Sequence, residues 1–408
     1  MSHSHSHGHG GKAPASHWVV VGLAITLALM FVATVVGAVM LWPSASDLPE
    51  KRPVTHPGTE TVNAVILSYE AGDPDDVSIA ATATVEIDGT GEVAEVQLNP
   101  SIARPEIVGH RVTLMSQTQE AIDLGQPAYI FMDFHRTNTL LILGAIFAIC
   151  VVAVAGLKGM AALIGLVAGL AVVWFFTLPA LLAGRPALAV ALVTASLILF
   201  VVVYMAHGIS VKSTTALLGT FAGVAAVIVL ASWAIPSAIL TPEFDEEMGI
   251  LAATTPGIDL RGVLLCGMVL SGVGVLNDVT ITQASAVWEL RGAAPGDSRM
   301  SIFTRAMRIG RDHIASTVYT IAFAYVGGAL ALLLLVDSMD YGALEWVSFS
   351  DVASELVSIG VASIGLVLTI PLTTAIAAAL VGGPENRSQA KHTRSTGGGD
   401  SGEHVLPA

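Results

Sequence analysis

Charge is scarce in this chain: 12% of its 408 residues are charged and 53% are hydrophobic, against roughly 25% charged in a soluble domain. A water-soluble fold has no interior large enough for that much apolar surface, so lipid has to be the solvent for much of the sequence. Bases are scarcer than acids, 18 against 32, for a net charge of −14, which excludes a nucleic-acid partner. The only two cysteines, Cys150 and Cys266, lie inside apolar runs, so neither a disulfide framework nor a thiolate metal site is expected. Also missing are a Gly-rich loop ending in Lys-Ser or Lys-Thr, an HExxH helix, a GxSxG elbow and a CxxC pair. ATP hydrolysis and the commonest hydrolytic and redox chemistries need those groups, so no enzymatic activity and no cofactor are expected.

Long apolar runs are what the chain has instead. The first extends from Trp18 to Trp42 without a charge and greatly exceeds the 7–15-residue core of a cleaved signal. It predicts an uncleaved transmembrane helix, preceded by a disordered His-rich tail over 1–17. Seven further runs, at Thr139–Leu157, Met160–Leu182, Ala187–Ala206, Leu217–Ile239, Arg261–Ile281, Ile314–Val336 and Val357–Val381, are long enough to cross about 30 Å of hydrocarbon. The expected fold is therefore a membrane all-α helical bundle of about eight transmembrane helices. A seven-helix part covers 137–382, and a disordered tail covers 383–408.

Between the first two runs, residues 43–136 change character. Charges, prolines and glycines appear, and short segments alternate in polarity with a period of two. Strands are expected at Thr61–Ser68, Ser78–Ile87, Glu92–Leu98 and Arg111–Met115, with a tight turn at Asp88-Gly89 through Gly91. Four or five short strands in so small a region suggest a β-rich, OB-like barrel.

Sidedness follows from the basic residues. With the N-terminus inside and eight crossings, 11 Lys and Arg face the cytoplasm and only Arg185 and Arg261 fall in the short outer loops, as the positive-inside rule requires. Both termini are then cytoplasmic and residues 43–136 extracytoplasmic. The outer loops are acidic, carrying among others Asp245, Glu246, Glu247, Asp351 and Glu355. Residues Ala284–His313 are too charged to span and are expected as a loop, with Ile302, Phe303, Met307 and Ile309 dipping toward the membrane.

Charged groups at span depth are costly and mark function. Asp278, preceded by Asn277, lies near the inner end of the sixth run, and Arg311 and Asp312 open the seventh. With His207 at the end of the fourth run, they are the candidate polar transport site, through an Asp278–Arg311 pair or a shared cation or proton at Asp278 and Asp312. Gly208, Gly267, Gly272, Gly274, Gly327 and Gly328 are candidates for close helix packing or hinges. His3, His5, His7 and His9 could bind a metal weakly.

The segments SGVGVLNDVTITQASAVWE, Ser271–Glu289, and GRDHIASTVYTIAFAYVGG, Gly310–Gly328, resemble the two signature segments of the bacterial YibE/F family of multi-span membrane proteins. The layout of one anchor, an outer domain and seven spans is similar to its actinobacterial form. Asp278, Glu289, Arg311 and Asp312 match the family's pattern, whereas Asn277 and Thr280 depart from it. The resemblance implies a protein of the plasma membrane with suspected transport. An ATP-independent permease or channel-like transporter of a small solute or ion is thus expected, the alternative being a non-transporting envelope scaffold or sensor whose outer domain binds a partner. A homo-oligomer or an envelope partner would be its macromolecular association.

Overall fold

The computed structural model describes residues 17–50, 58–72, 81–339 and 342–382. The four alternating histidines of the N-terminal tail and the C-terminal tail lie outside them. The chain divides into two compact units, 50–156 and the remainder, and each is described by itself.

The smaller unit is a curled five-stranded antiparallel sheet of order β3-β2-β1-β4-β5, formed by β1 (Thr61–Glu70), β2 (Ala81–Ile87), β3 (Val93–Leu98), β4 (Arg111–Ser116) and β5 (Tyr129–Phe134). A short helix, α2 (Gln119–Asp123), precedes β5 and is capped by the Thr118 hydroxyl, which accepts from the Ala121 amide. Alternation does the folding: Ala81, Ala83, Val85 and Ile87 of β2 all face a core shared with Ala64, Ile66, Val96, Leu98, Val112 and Leu114. The expected turn after β2 is present, with the Gly91 amide donating to the Ile87 carbonyl at 3.0 Å and Gly89 at φ 92°. Curling brings the edge strands together, and the Tyr129 hydroxyl donates to Glu92 at 3.1 Å. No backbone ladder joins β3 to β5 among the described residues. β5 is the strand that the sequence reading did not delimit.

The larger unit is helical. Its elements are α1 (His17–Leu41), the part of α3 (Thr137–Val172) that follows Gly156, α4 (Leu178–Leu182), α5 (Ala187–His207), α6 (Val211–Ser237), α7 (Glu246–Thr254), α8 (Leu260–Ala293), α9 (Arg299–Gly328), α10 (Leu330–Asp337), α11 (Ala343–Val347) and α12 (Ser350–Leu380). Among the described residues six helical runs are long and apolar enough to cross a membrane, or seven if the bent pair α9 and α10 forms one span. The sequence count of eight differs because residues 137–182 form one 46-residue run. That run is interrupted at Gly156, whose φ of 59° and ψ of −138° no helix contains, and by a π turn at Val173–Thr177. At 1.5 Å per residue it would be about 70 Å long if straight, over twice a hydrocarbon core.

α5, α6, α8 and α12 build the main core. On α8 the buried positions Cys266, Val269, Val273, Leu276, Thr280, Gln283 and Val287 recur at alternating intervals of three and four, the seam pattern of closely packed helices. α6 and α12 meet where α6 has no side chains: a Cβ on Gly219 would run into Thr373 and one on Gly223 into Thr369. Val227 of α6 fills the space left by Gly365 of α12. α1 packs on α5 through Phe31 and Phe200, edge to face at 5.4 Å.

One expectation is corrected. Residues 284–313 are not a loop: α8 continues to Ala293, and a turn of five residues leads into α9 at Arg299. Charge kept this segment out of the hydrocarbon, but it does not prevent helix formation. Ile302, Ala306 and Gly310 recur every fourth residue and are buried, Ile302 and Ala306 against Val287 and Ala377, so Ile302 faces protein rather than lipid. The turn is held by the buried Arg291, whose Nη1 donates to the carbonyls of Asp297 (2.7 Å) and Pro295 (3.3 Å). Asp297 in turn accepts from Arg305 at 2.9 Å and Ser301 at 3.1 Å.

Candidate functional site

A cavity of about 970 Å³ lies at the end of the bundle where α6 finishes and α8 and α12 begin. Local chemistry fixes each wall. α6 stops one residue after Pro236, and Ile239 takes a φ of 50°. Asp245 then caps α7 by accepting from the Met248 amide at 3.0 Å. Asp259 caps α8 through the Gly262 amide at 2.9 Å; a Cβ at Gly262 would collide with that carboxylate and with Ala187. Ser350 opens α12 and is tied to Thr241, hydroxyl to hydroxyl and hydroxyl to carbonyl, each at 3.1 Å.

From there α12 turns Asp351, Ser354, Glu355 and Ser358 toward the cavity, a spacing of three to four residues that keeps them on one face. Asp245, Glu246 and Glu247 add acids from the α6–α8 connection, and Ser271 of α8 and Tyr325 of α9 supply deeper hydroxyls. Gly328, where α9 gives way to α10 across a 64° bend, forms part of the wall. Among the described residues no lysine or arginine lines the cavity. Asp351 lies within electrostatic reach of Asp245 and Glu247, and Glu355 within that of Asp245. Glu355 Oε2 is shielded and has no hydrogen-bond partner. Among the described residues no three acid, histidine or cysteine side chains converge to hold a metal ion. The cavity can therefore concentrate cations by its field without offering a coordination sphere.

Beneath it the helix interfaces are polar. The hydroxyls of Thr220 and Thr280 lie 2.6 Å apart, and Thr374 donates to the Ile370 carbonyl at 2.7 Å with Gln283 Oε1 at 3.0 Å. Gln283 and Thr373 are fully buried, and Gln283 Nε2 and Thr373 Oγ1 bond to nothing.

The residues singled out in the sequence lie toward the opposite end of α8. Asp278, Lys158 and Lys212 each lie within electrostatic reach of His207. Asn277 is half-buried and its Oδ1 has no partner. Arg311 and Asp312 are exposed on α9, and Arg311 forms no ion pair with Asp278. Gly208 ends α5 at φ 70°, Gly272 packs on Val227, and Gly267, Gly274, Gly327 and Gly328 meet nothing within 4 Å of a built Cβ. Gly327 and Gly328 precede the α9–α10 bend. Sequence reasoning missed Asp351, Ser354, Glu355 and Ser358 as a set. Their spacing of three to four residues was the available signal.

These features define a class: a helical bundle with the dimensions and apolarity of a membrane protein, carrying an acidic, hydroxyl-lined cavity at one end. The YibE/F-like protein family matches residues 143–383, more than half of the chain, and the protein belongs to that family. Comparisons with curated proteins and with solved structures find no match.

Proposed function

We propose that the protein is an ATP-independent permease or channel-like transporter of a small cation or cationic solute in the bacterial plasma membrane. The cavity walled by Asp245, Glu247, Asp351 and Glu355 is its outer vestibule. The observation that carries this reading is a volume large enough for a hydrated ion or small amine, lined by five acidic side chains and, among the described residues, by no base. Ser354, Ser358, Ser271 and Tyr325 supply hydroxyls below the acids, and Asp278 with His207 forms the polar exit at the far end of α8. The eight-crossing topology, with 137–182 crossing twice and both termini cytoplasmic, puts the vestibule and the OB-like domain outside. It leaves the arginines of the α8–α9 turn inside, as lipid electrostatics favours.

The test is flux in proteoliposomes. Wild type should pass monovalent cations or small amines in preference to anions, Glu355→Gln with Asp351→Asn should lower cation flux severalfold, and Asp278→Asn should lower it independently. Unchanged flux in folded variants would remove the transport role from these residues. The compact unit at residues 50–156 favours a second reading, a scaffold whose outer domain recognises an envelope partner. That reading gains if the Glu355 and Asp278 variants retain the cellular phenotype while deletion of 58–134 abolishes it.

A further inference from the structure

We propose that the trough between the second half of α3, α5 and α8 binds an anionic phospholipid, with an acyl chain in the trough and the phosphate between Lys158 and Lys212. The trough has a volume of about 340 Å³, and its walls are apolar apart from Asn277. Three glycines make it. At Gly165 and Gly169 a Cβ would meet Val202 and Ile198 at ordinary contact distances of 3.6 and 3.7 Å, and at Gly274 it would meet nothing within 4 Å. Helix packing thus does not require glycine at these positions, in contrast to Gly219 and Gly223. Their effect is to leave an apolar channel that the protein does not fill, in a bundle surrounded by lipid chains.

The charge at one end selects the occupant. Ala162, in the trough wall, lies one helical turn from Lys158, and Val202 lies just over one turn from His207. Lys158, Lys212 and Asp278 all act on His207, so the four groups surround that end. Among the described residues neither lysine forms an ion pair. Asp278 offsets one of them, leaving one net positive charge with His207 neutral and two with it protonated. The Asn277 Oδ1, without a partner, adds a polar group where chain gives way to headgroup. Basic pockets between spans recognise anionic headgroups, at roughly a fivefold gain in affinity for each lysine. A zwitterionic lipid would fill the same trough without that gain.

The experiment uses the full chain, purified in detergent, stripped of lipid and supplied with phosphatidylglycerol or phosphatidylcholine of matched chains. Retained lipid is counted by native mass spectrometry. Wild type should retain phosphatidylglycerol at least fivefold better. Lys158→Gln and Lys212→Gln should each lower that retention by about fivefold, and Lys158→Arg with Lys212→Arg should keep it. Gly274→Leu, whose Cβ meets no neighbour, fills the trough and should abolish retention of both lipids, while Gly267→Leu on the same helix should not. Equal retention of the two lipids by wild type overturns the proposal whatever the variants do. So does displacement of phosphatidylglycerol by excess inorganic phosphate, or disulfide-linked dimers of Gly274→Cys in native membranes, which would put a second copy in the trough.

Discussion

At Gly219 and Gly223 one methyl group separates a packed helix pair from a clash. A Cβ at either position runs into a buried threonine of α12, whose own backbone is fixed on the opposite side by α8 and α9. Gly219→Ala should destabilise the folded state by about 1–3 kcal/mol, the usual cost of overpacking, read as a lowered unfolding midpoint in detergent. Gly274→Ala meets nothing and should be neutral or slightly stabilising, since alanine favours the helix. A charged residue gives a pH prediction outside the spans. Asp47 is held below the usual carboxylate range, first by hydrogen bonds from the Ser44 amide and hydroxyl and then by Arg185 at 2.8 Å. A depressed acid stabilises the fold above its unfolded pKa, and that contribution is lost as pH falls through the lowered folded value. Asp47→Asn should therefore lower stability at neutral pH and flatten the acid limb of the profile, so that the variant and wild type converge at low pH. Asp278 and His207 could be picked out in the sequence because a charge inside an apolar run is conspicuous. Asp351 and Glu355 are less conspicuous, because just outside a run they look like any solvated acid and only their spacing marks them; the fold adds that α8, α9 and α10 wall them in.

The elements show a different boundary to what sequence can tell. Apolar length located α1 and α5 to within a few residues and found α6, α8 and α12, whose polar first or last turns extend beyond the apolar runs; period-two alternation located the first four strands. The α8–α9 turn was misjudged because hydropathy measures immersion in lipid, while helix formation depends on propensity and on the four-residue recurrence of Ile302, Ala306 and Gly310. Arg291 is the fastening of this turn. Arg291→Ala should cost about 2–3 kcal/mol, since it leaves the Asp297 and Pro295 carbonyls without their donor and empties the space of a fully buried side chain. The check is the unfolding midpoint, with increased proteolysis at residues 294–298. In α3, Gly156 sits at a φ of 59° that a side chain resists by roughly 1–2 kcal/mol. Gly156→Val should therefore weaken the break and lower the yield of folded protein more than Gly144→Val, which lies in regular helix.

For the molecule as a whole, the uneven distribution of bases is the strongest organising fact, and it makes the orientation testable with single cysteines. On a background with Cys150 and Cys266 replaced by alanine, a membrane-impermeant thiol reagent added to intact cells should label Ser354→Cys and leave Arg299→Cys untouched until the membrane is opened. The reverse pattern would invert the orientation and with it the assignment of the acidic cavity to the outside. The lack of any lysine or arginine in that cavity has a consequence for how the protein responds to its medium. An uncompensated negative enclosure works through a Debye atmosphere, about 10 Å thick at 0.1 M salt and 30 Å at 0.01 M, so dilution of the buffer should enrich a cation at the mouth without altering the path beyond it. The apparent half-saturation concentration for a cationic solute should then rise with ionic strength while the saturating flux stays constant.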